Sequence, residues 1–134
     1  MAAKENNYLT AVVASDSQQA FGFAYVDLST GELKVSTLPD EESVLNEASS
    51  LQTKEVVLGS DLPDSLKTKL TQRLEVVFSE QYETVENAEF SFISSELSAE
   101  LEQEVVNKLL AYLSLTQKRS LGHLQKATVY QPTH

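Results

Sequence analysis

Leu97, Leu101, Val105, Leu109 and Leu113 recur at every fourth position, and Val106, Leu110 and Tyr112 widen the stripe. A helix lined this way carries an apolar face that must lie against something equally apolar. Ser98 suits the N-cap. Glu100, Glu102 and Glu104 fall in the early turns, Lys118 and Arg119 in the last, and Gly122 just beyond. The spacing predicts a helix of about 20 residues packed across a sheet.

The sheet is legible upstream. Tyr8-Leu-Thr-Ala-Val-Val-Ala-Ser15 is apolar on both parities, as a strand buried on two faces must be. Phe21-Gly-Phe-Ala-Tyr-Val-Asp-Leu28 reads the same way, with Phe21, Phe23 and Tyr25 on one face. Ser29-Thr-Gly31 supplies a tight turn in which glycine can take positive φ. Glu32 to Leu38 alternates, Leu33, Val35 and Thr37 opposing Glu32, Lys34 and Ser36, so one face is expected to meet water near a sheet edge.

At Pro39 the period changes from two to 3.6. Asp40 caps a helix, Glu41 and Glu42 suit its positive end, and Val44, Leu45, Ala48 and Leu51 share its inner face. Glu55–Gly59 is a short apolar strand. Asp61-Leu-Pro63 opens a second helix with Leu62, Leu66 and Leu70 inward, and Leu74–Phe78 is a fifth strand. Helices before and after the fourth strand imply right-handed crossovers and parallel pairing. Leu124 to Tyr130 can add an extended segment. The predicted fold is α/β and ribonuclease-H-like: a mixed five-stranded sheet of order 3-2-1-4-5 with helices on its faces.

At 134 residues and 41% apolar content, one packed domain accounts for the chain. There is no apolar run of membrane-spanning length, no signal-like opening and no cysteine, so a cytoplasmic protein without a disulfide framework or thiolate metal site is expected. The net charge of −10 argues against an autonomous binder of phosphate backbones. It is unevenly spread: eight glutamates and no Lys or Arg lie between Glu80 and Glu104, whereas no acid follows Glu104. That segment reads either as a solvated loop leading into a helix with dipole-sorted charges, or as a charged partner surface around Glu80, Glu83 and Glu86.

Catalytic signatures are missing. A ribonuclease-H-like nuclease needs carboxylates for two metal ions, one of them inside the first strand. Here that strand has none: Asp16 only follows it, Asp27 precedes the hairpin turn, and Asp61 doubles as a helix cap. Glycines at 22, 31, 59 and 122 cannot form a phosphate-cradling G-x-x-x-x-G-K-[ST] loop, and there is no G-x-S-x-G elbow. His123 is expected to bond the last carbonyls of the long helix, and it and His134 have no acid near them in sequence. No catalytic residue, cofactor or metal site is expected.

Four stretches in order carry a resemblance: Asn6-Asn7-Tyr8-Leu9; Gly22-Phe-Ala-Tyr-Val-Asp-Leu-Ser-Thr-Gly-Glu32; Lys54-Glu-Val-Val-Leu58; and Leu109-Leu-Ala-Tyr-Leu113 with Thr116-Gln-Lys-Arg-Ser-Leu-Gly-His-Leu-Gln125. Together they resemble the connector domain, domain II, of bacterial MutS mismatch-repair proteins, over about residues 6–130. The resemblance implies a non-catalytic module between a mismatch-reading domain and an ATPase-bearing core, relaying conformational change and contributing to contact with MutL. Residues 1–5 then read as appended or linker residues, and 131–134 as a tail towards the core. Mismatched DNA would be met only through the full-length protein. Gly122 would be the hinge at which the chain leaves for the core. The alternative is a free-standing ribonuclease-H-like nuclease or a degenerate relative of one.

Overall fold

A computed structural model describes residues 8–15, 20–27, 30–51, 53, 55–59, 62–73, 77–80, 100–116 and 128–129. Their order is β1 (Tyr8–Ala14), β2 (Phe21–Asp27), β3 (Leu33–Leu38), α1 (Glu41–Leu51), β4 (Glu55–Leu58), α2 (Asp64–Arg73), β5 (Val77–Glu80), α3 (Glu100–Thr116) and β6 (Thr128–Val129). The strands form one mixed sheet, β5-β4-β1-β2-β3-β6. Order 3-2-1-4-5 is therefore present, but the described sheet has six strands and not five. The sixth comes from the tail, where Thr128 and Val129 pair in parallel with Lys34 and Val35 on the outer edge of β3.

The first three strands are the expected antiparallel meander. Tyr8 to Ala14 pair with Asp27 to Phe21, and Phe21 to Val26 with Leu38 to Leu33. Gly31 has φ 81°, and its N–H donates to the Asp27 carbonyl at 2.7 Å, so a glycine closes the hairpin where other residues would be strained. Beyond β1 the pairing is parallel, Leu9–Val12 with Glu55–Leu58 and those with Val77–Glu80.

Two separate apolar layers flank the sheet. On one side α3 lays Val105, Val106, Leu109, Leu110 and Leu113 onto Ala11, Val13, Ala24, Val35 and Val57. On the other, Val44, Leu45 and Ala48 of α1 and Leu66 and Leu70 of α2 cover Val12, Phe21, Phe23, Leu38 and Val56. Because both faces of β1 and β2 are covered, neither strand can show the polar alternation of a half-exposed strand. Asp40 caps α1 as expected, its Oδ1 accepting from the Ser43 N–H at 2.8 Å.

Three expectations are corrected. β3 does not turn a whole face to water: Ser36 and Leu38 are buried, Leu38 within the layer beneath α1. The fifth strand runs through Ser79 and Glu80, because parallel pairing with Val57 and Leu58 carries the ladder past Phe78. Leu101, expected to be buried with Val105, Leu109 and Leu113 of the α3 stripe, is only partly buried. Ser98 and the 117–122 helix end lie outside the described residues.

Candidate functional site

What the described fold offers is a closely packed junction of one helix and one sheet. α3 crosses β1, β2 and β3, and its approach to β2 is close. A Cβ on Gly22 would stand 2.9 Å from Val13 Cγ2, 3.0 Å from the Leu101 carbonyl oxygen and 3.1 Å from Val105 Cβ. The helix backbone thus rides directly on the strand, at a separation that only a residue without a side chain permits.

Two polar pins fix the helix along its length. Near its start, Glu102 is buried at 8% exposure and its Oε2 accepts from the Thr37 hydroxyl of β3 at 3.2 Å. Towards its other end, the Tyr112 hydroxyl donates to Glu55 Oε2 on β4, and the same oxygen accepts from the Ser79 hydroxyl of β5 at 2.7 Å. The Tyr112 and Ser79 hydroxyl oxygens lie 3.0 Å apart. Desolvation raises the Tyr112 phenol above its ordinary value, and the bond to Glu55 raises it further. The ten residues from Glu102 to Tyr112 put the pins about 15 Å apart on the helix axis. One pin grips the β3 side of the sheet, the other the β4–β5 side.

A third polar contact lies in the sheet itself. The Thr10 hydroxyl, fully buried on β1, donates to Thr53 Oγ1 at 2.9 Å; Thr53 Oγ1 lies 3.1 Å from the Tyr8 carbonyl oxygen and 3.0 Å from that of Glu55. It ties the entry of β4 to β1. On the opposite face α1 and α2 are joined by Lys69–Glu41 at 3.0 Å and Arg73–Glu42 at 3.5 Å, both exposed pairs of small energetic value.

Of the residues singled out by sequence, Glu80 has its backbone in β5, opposite Leu58, and so stands at the end of a strand rather than in a loop. Glu83, Glu86, Asp61, Gly122, His123 and His134 lie outside the described residues. Asp27 ends β2, where its N–H donates to the Glu32 carbonyl at 2.9 Å and its carbonyl accepts from Gly31. β1 carries no carboxylate. Among the described residues no three His, Cys, Asp or Glu side chains are grouped to hold a metal ion, and no helix is long and apolar enough to cross a membrane. A depression of about 200 Å³ lined by Lys69, Gln72 and Arg73 falls below the ~300–1,000 Å³ usual for ligand pockets.

The pins were not singled out from sequence, although one left a trace. Glu102 shares a helical face with Val106 and Leu110, so an acid on an apolar stripe calls for a buried partner. Tyr112 reads as one more apolar residue of the stripe, and nothing local tells that its hydroxyl reaches Glu55.

Helices on both faces of a mixed sheet, with an antiparallel meander leading into parallel strands, define a ribonuclease-H-like domain. The profile of MutS domain II matches residues 7–125, and the chain belongs to that family. It is 46% identical over 132 residues to the DNA mismatch repair protein MutS of Lactobacillus johnsonii. It is 40% identical over 131 residues to that of a Geobacillus species. Each comparison covers 98% of this chain but 15% of the relative, so the chain spans a small part of the length of the proteins it matches.

Proposed function

We propose that the chain is the connector of a MutS-type mismatch-repair ATPase, with no chemistry of its own. It holds the mismatch-reading domain at a set position relative to the core and passes conformational change between them. The observation that carries this reading is the match to MutS domain II across residues 7–125. The geometry supports it: the described chain enters through β1 and leaves through β6, which run in the same direction in one sheet. Three strand spacings separate them, about 14 Å. A displacement at one attachment is then carried by a twice-pinned body to the other, and is not absorbed within it.

Its partners are the other domains of the full-length protein, and mismatched DNA only through that protein, which is cytoplasmic. Gly122, between α3 and β6, is the joint that stops the helix and turns the chain on its way to the core, since glycine adopts the left-handed conformation that ends a helix. Gly122→Val in the full-length protein should weaken the coupling of mismatch binding to ATP turnover. Unchanged coupling with an intact domain places the joint elsewhere. MutL is met through the acidic segment beginning at Glu80, whose charge steers association. Reversing Glu80, Glu83 and Glu86 to Lys should slow MutL recruitment, less so as salt rises, because exposed charges are screened beyond about 8 Å at physiological ionic strength. Normal recruitment by that variant, with no crosslink to MutL from position 83, removes the segment from the interface.

A further inference from the structure

One row of the sheet, beneath the start of α3, reads Gly59, Val13, Gly22 and Thr37. Val13 is the register partner of Gly22, Gly22 is that of Thr37, and Gly59 follows Leu58, the partner of Val12. Val13, itself buried, therefore has a glycine on each flank, and both press on it. A Cβ on Gly22 would stand 2.9 Å from Val13 Cγ2, and a Cβ on Gly59 would stand 2.9 Å from Val13 Cγ1. Carbons in favourable contact lie about 3.5 Å apart or more, so the two methyls of one valine fill the places of two absent side chains. The two glycines lead to different parts of the fold. Over Gly22 lies the backbone of α3, at the Leu101 carbonyl. At Gly59 the chain has just left β4: its N–H donates to the Val12 carbonyl at 2.9 Å, and its carbonyl accepts from the Leu62 N–H at 3.5 Å. Leu62 belongs to the apolar layer on the opposite face, with Leu66 and Leu70 of α2.

We propose that Val13 is a steric coupler between the two helical layers. A change in the height of α3 above Gly22 is passed through the valine methyls to Gly59, and from there to the turn that opens α2. Valine suits this task because branching at Cβ makes its χ1 stiff, so both methyls move as one body. A close-packed interior leaves no void to absorb such a movement. Pushed from Gly22, Val13 yields towards Gly59, and pushed from Gly59 it yields towards Gly22. The coupling is a property of this domain's own packing and is tested without the relay proposed above.

The test is a mutant cycle on the 134-residue chain, read by denaturant unfolding. Gly22→Ala and Gly59→Ala are made singly and together, in the parent and in the Val13→Ala background. The two glycines stand two strand spacings apart, about 10 Å, where substitutions without a shared partner contribute independently. Here they share Val13. Each substitution alone drives it towards the opposite glycine, and both together leave it nowhere to go. The pair should lower the folding equilibrium constant at least about fivefold beyond the product of the two single effects. In the Val13→Ala background that excess should vanish, although Gly22→Ala keeps its own cost from the Leu101 carbonyl. Single effects that simply multiply in the parent, or an excess that survives Val13→Ala, would overturn the coupler. Should the doubly substituted chain not fold, Gly22→Ala alone decides. It should shift the amide resonances of Gly59 and Leu62 in the parent and leave them in place in the Val13→Ala background. Resonances that Gly22→Ala leaves unmoved in the parent would overturn the coupler equally.

Discussion

A tyrosine on an apolar helix stripe can serve as packing or as a polar anchor, and at Tyr112 the structure shows the second. Its hydroxyl joins α3 to Glu55 of β4, close to Ser79 of β5. Desolvation, the Glu55 bond and the Glu55 charge all hold its phenol above the ordinary value of 10.0. A raised phenol means that the folded state keeps its proton more tightly than the unfolded one. The stabilisation is complete below pH 10.0 and is lost as pH rises through the folded value. Tyr112→Phe should therefore flatten the alkaline fall of the unfolding midpoint. Equal slopes for the two proteins above pH 10 would show that the phenol is no anchor. Tyr25, also raised, first by burial and then by Tyr8, contributes in the same direction and remains in both proteins.

Among the elements, α3 carries most of the account. Leu109 is fully buried between the sheet and the neighbouring turns of its own helix. Leu109→Ala should cost about 2–5 kcal/mol in a denaturant titration, the range for large-to-small changes in a packed core. A loss well under 1 kcal/mol would mean that the helix does not rest on the sheet as described. The four-residue leucine repeat made this helix, and its buried face, legible from the sequence. The strands β1, β2 and β4 were equally legible, because continuous apolar runs bounded by turn residues have few other outcomes. The limits of β5 were not. Ser79 and Glu80 look like the start of a polar loop until their pairing with β4 is seen. The burial of Ser36 and Leu38 was hidden for a related reason: which faces a strand shows depends on where α1 packs, which is a tertiary matter. β6 was foreseen as an extended segment, but two residues carry no periodicity and could not be assigned to the edge of β3.

At the scale of the whole molecule, the proposed relay rests on a helix pinned to β3 on one side of the two central strands and to β4 on the other. Glu102–Thr37 and Tyr112–Glu55 are the pins. The direct test uses the full-length protein carrying Thr37→Val and Tyr112→Phe together, which release both pins and leave the apolar layer under α3 intact. Mismatch affinity and ATP turnover without DNA should stay at the unmodified level. The change in ATP turnover on mismatch binding should fall by about 2- to 30-fold, the span of ~0.5–2 kcal/mol by which such intermediate positions alter coupling. A double variant that folds, exchanges its α3 amides faster and yet couples mismatch binding to ATP turnover as strongly as the unmodified protein would contradict the account.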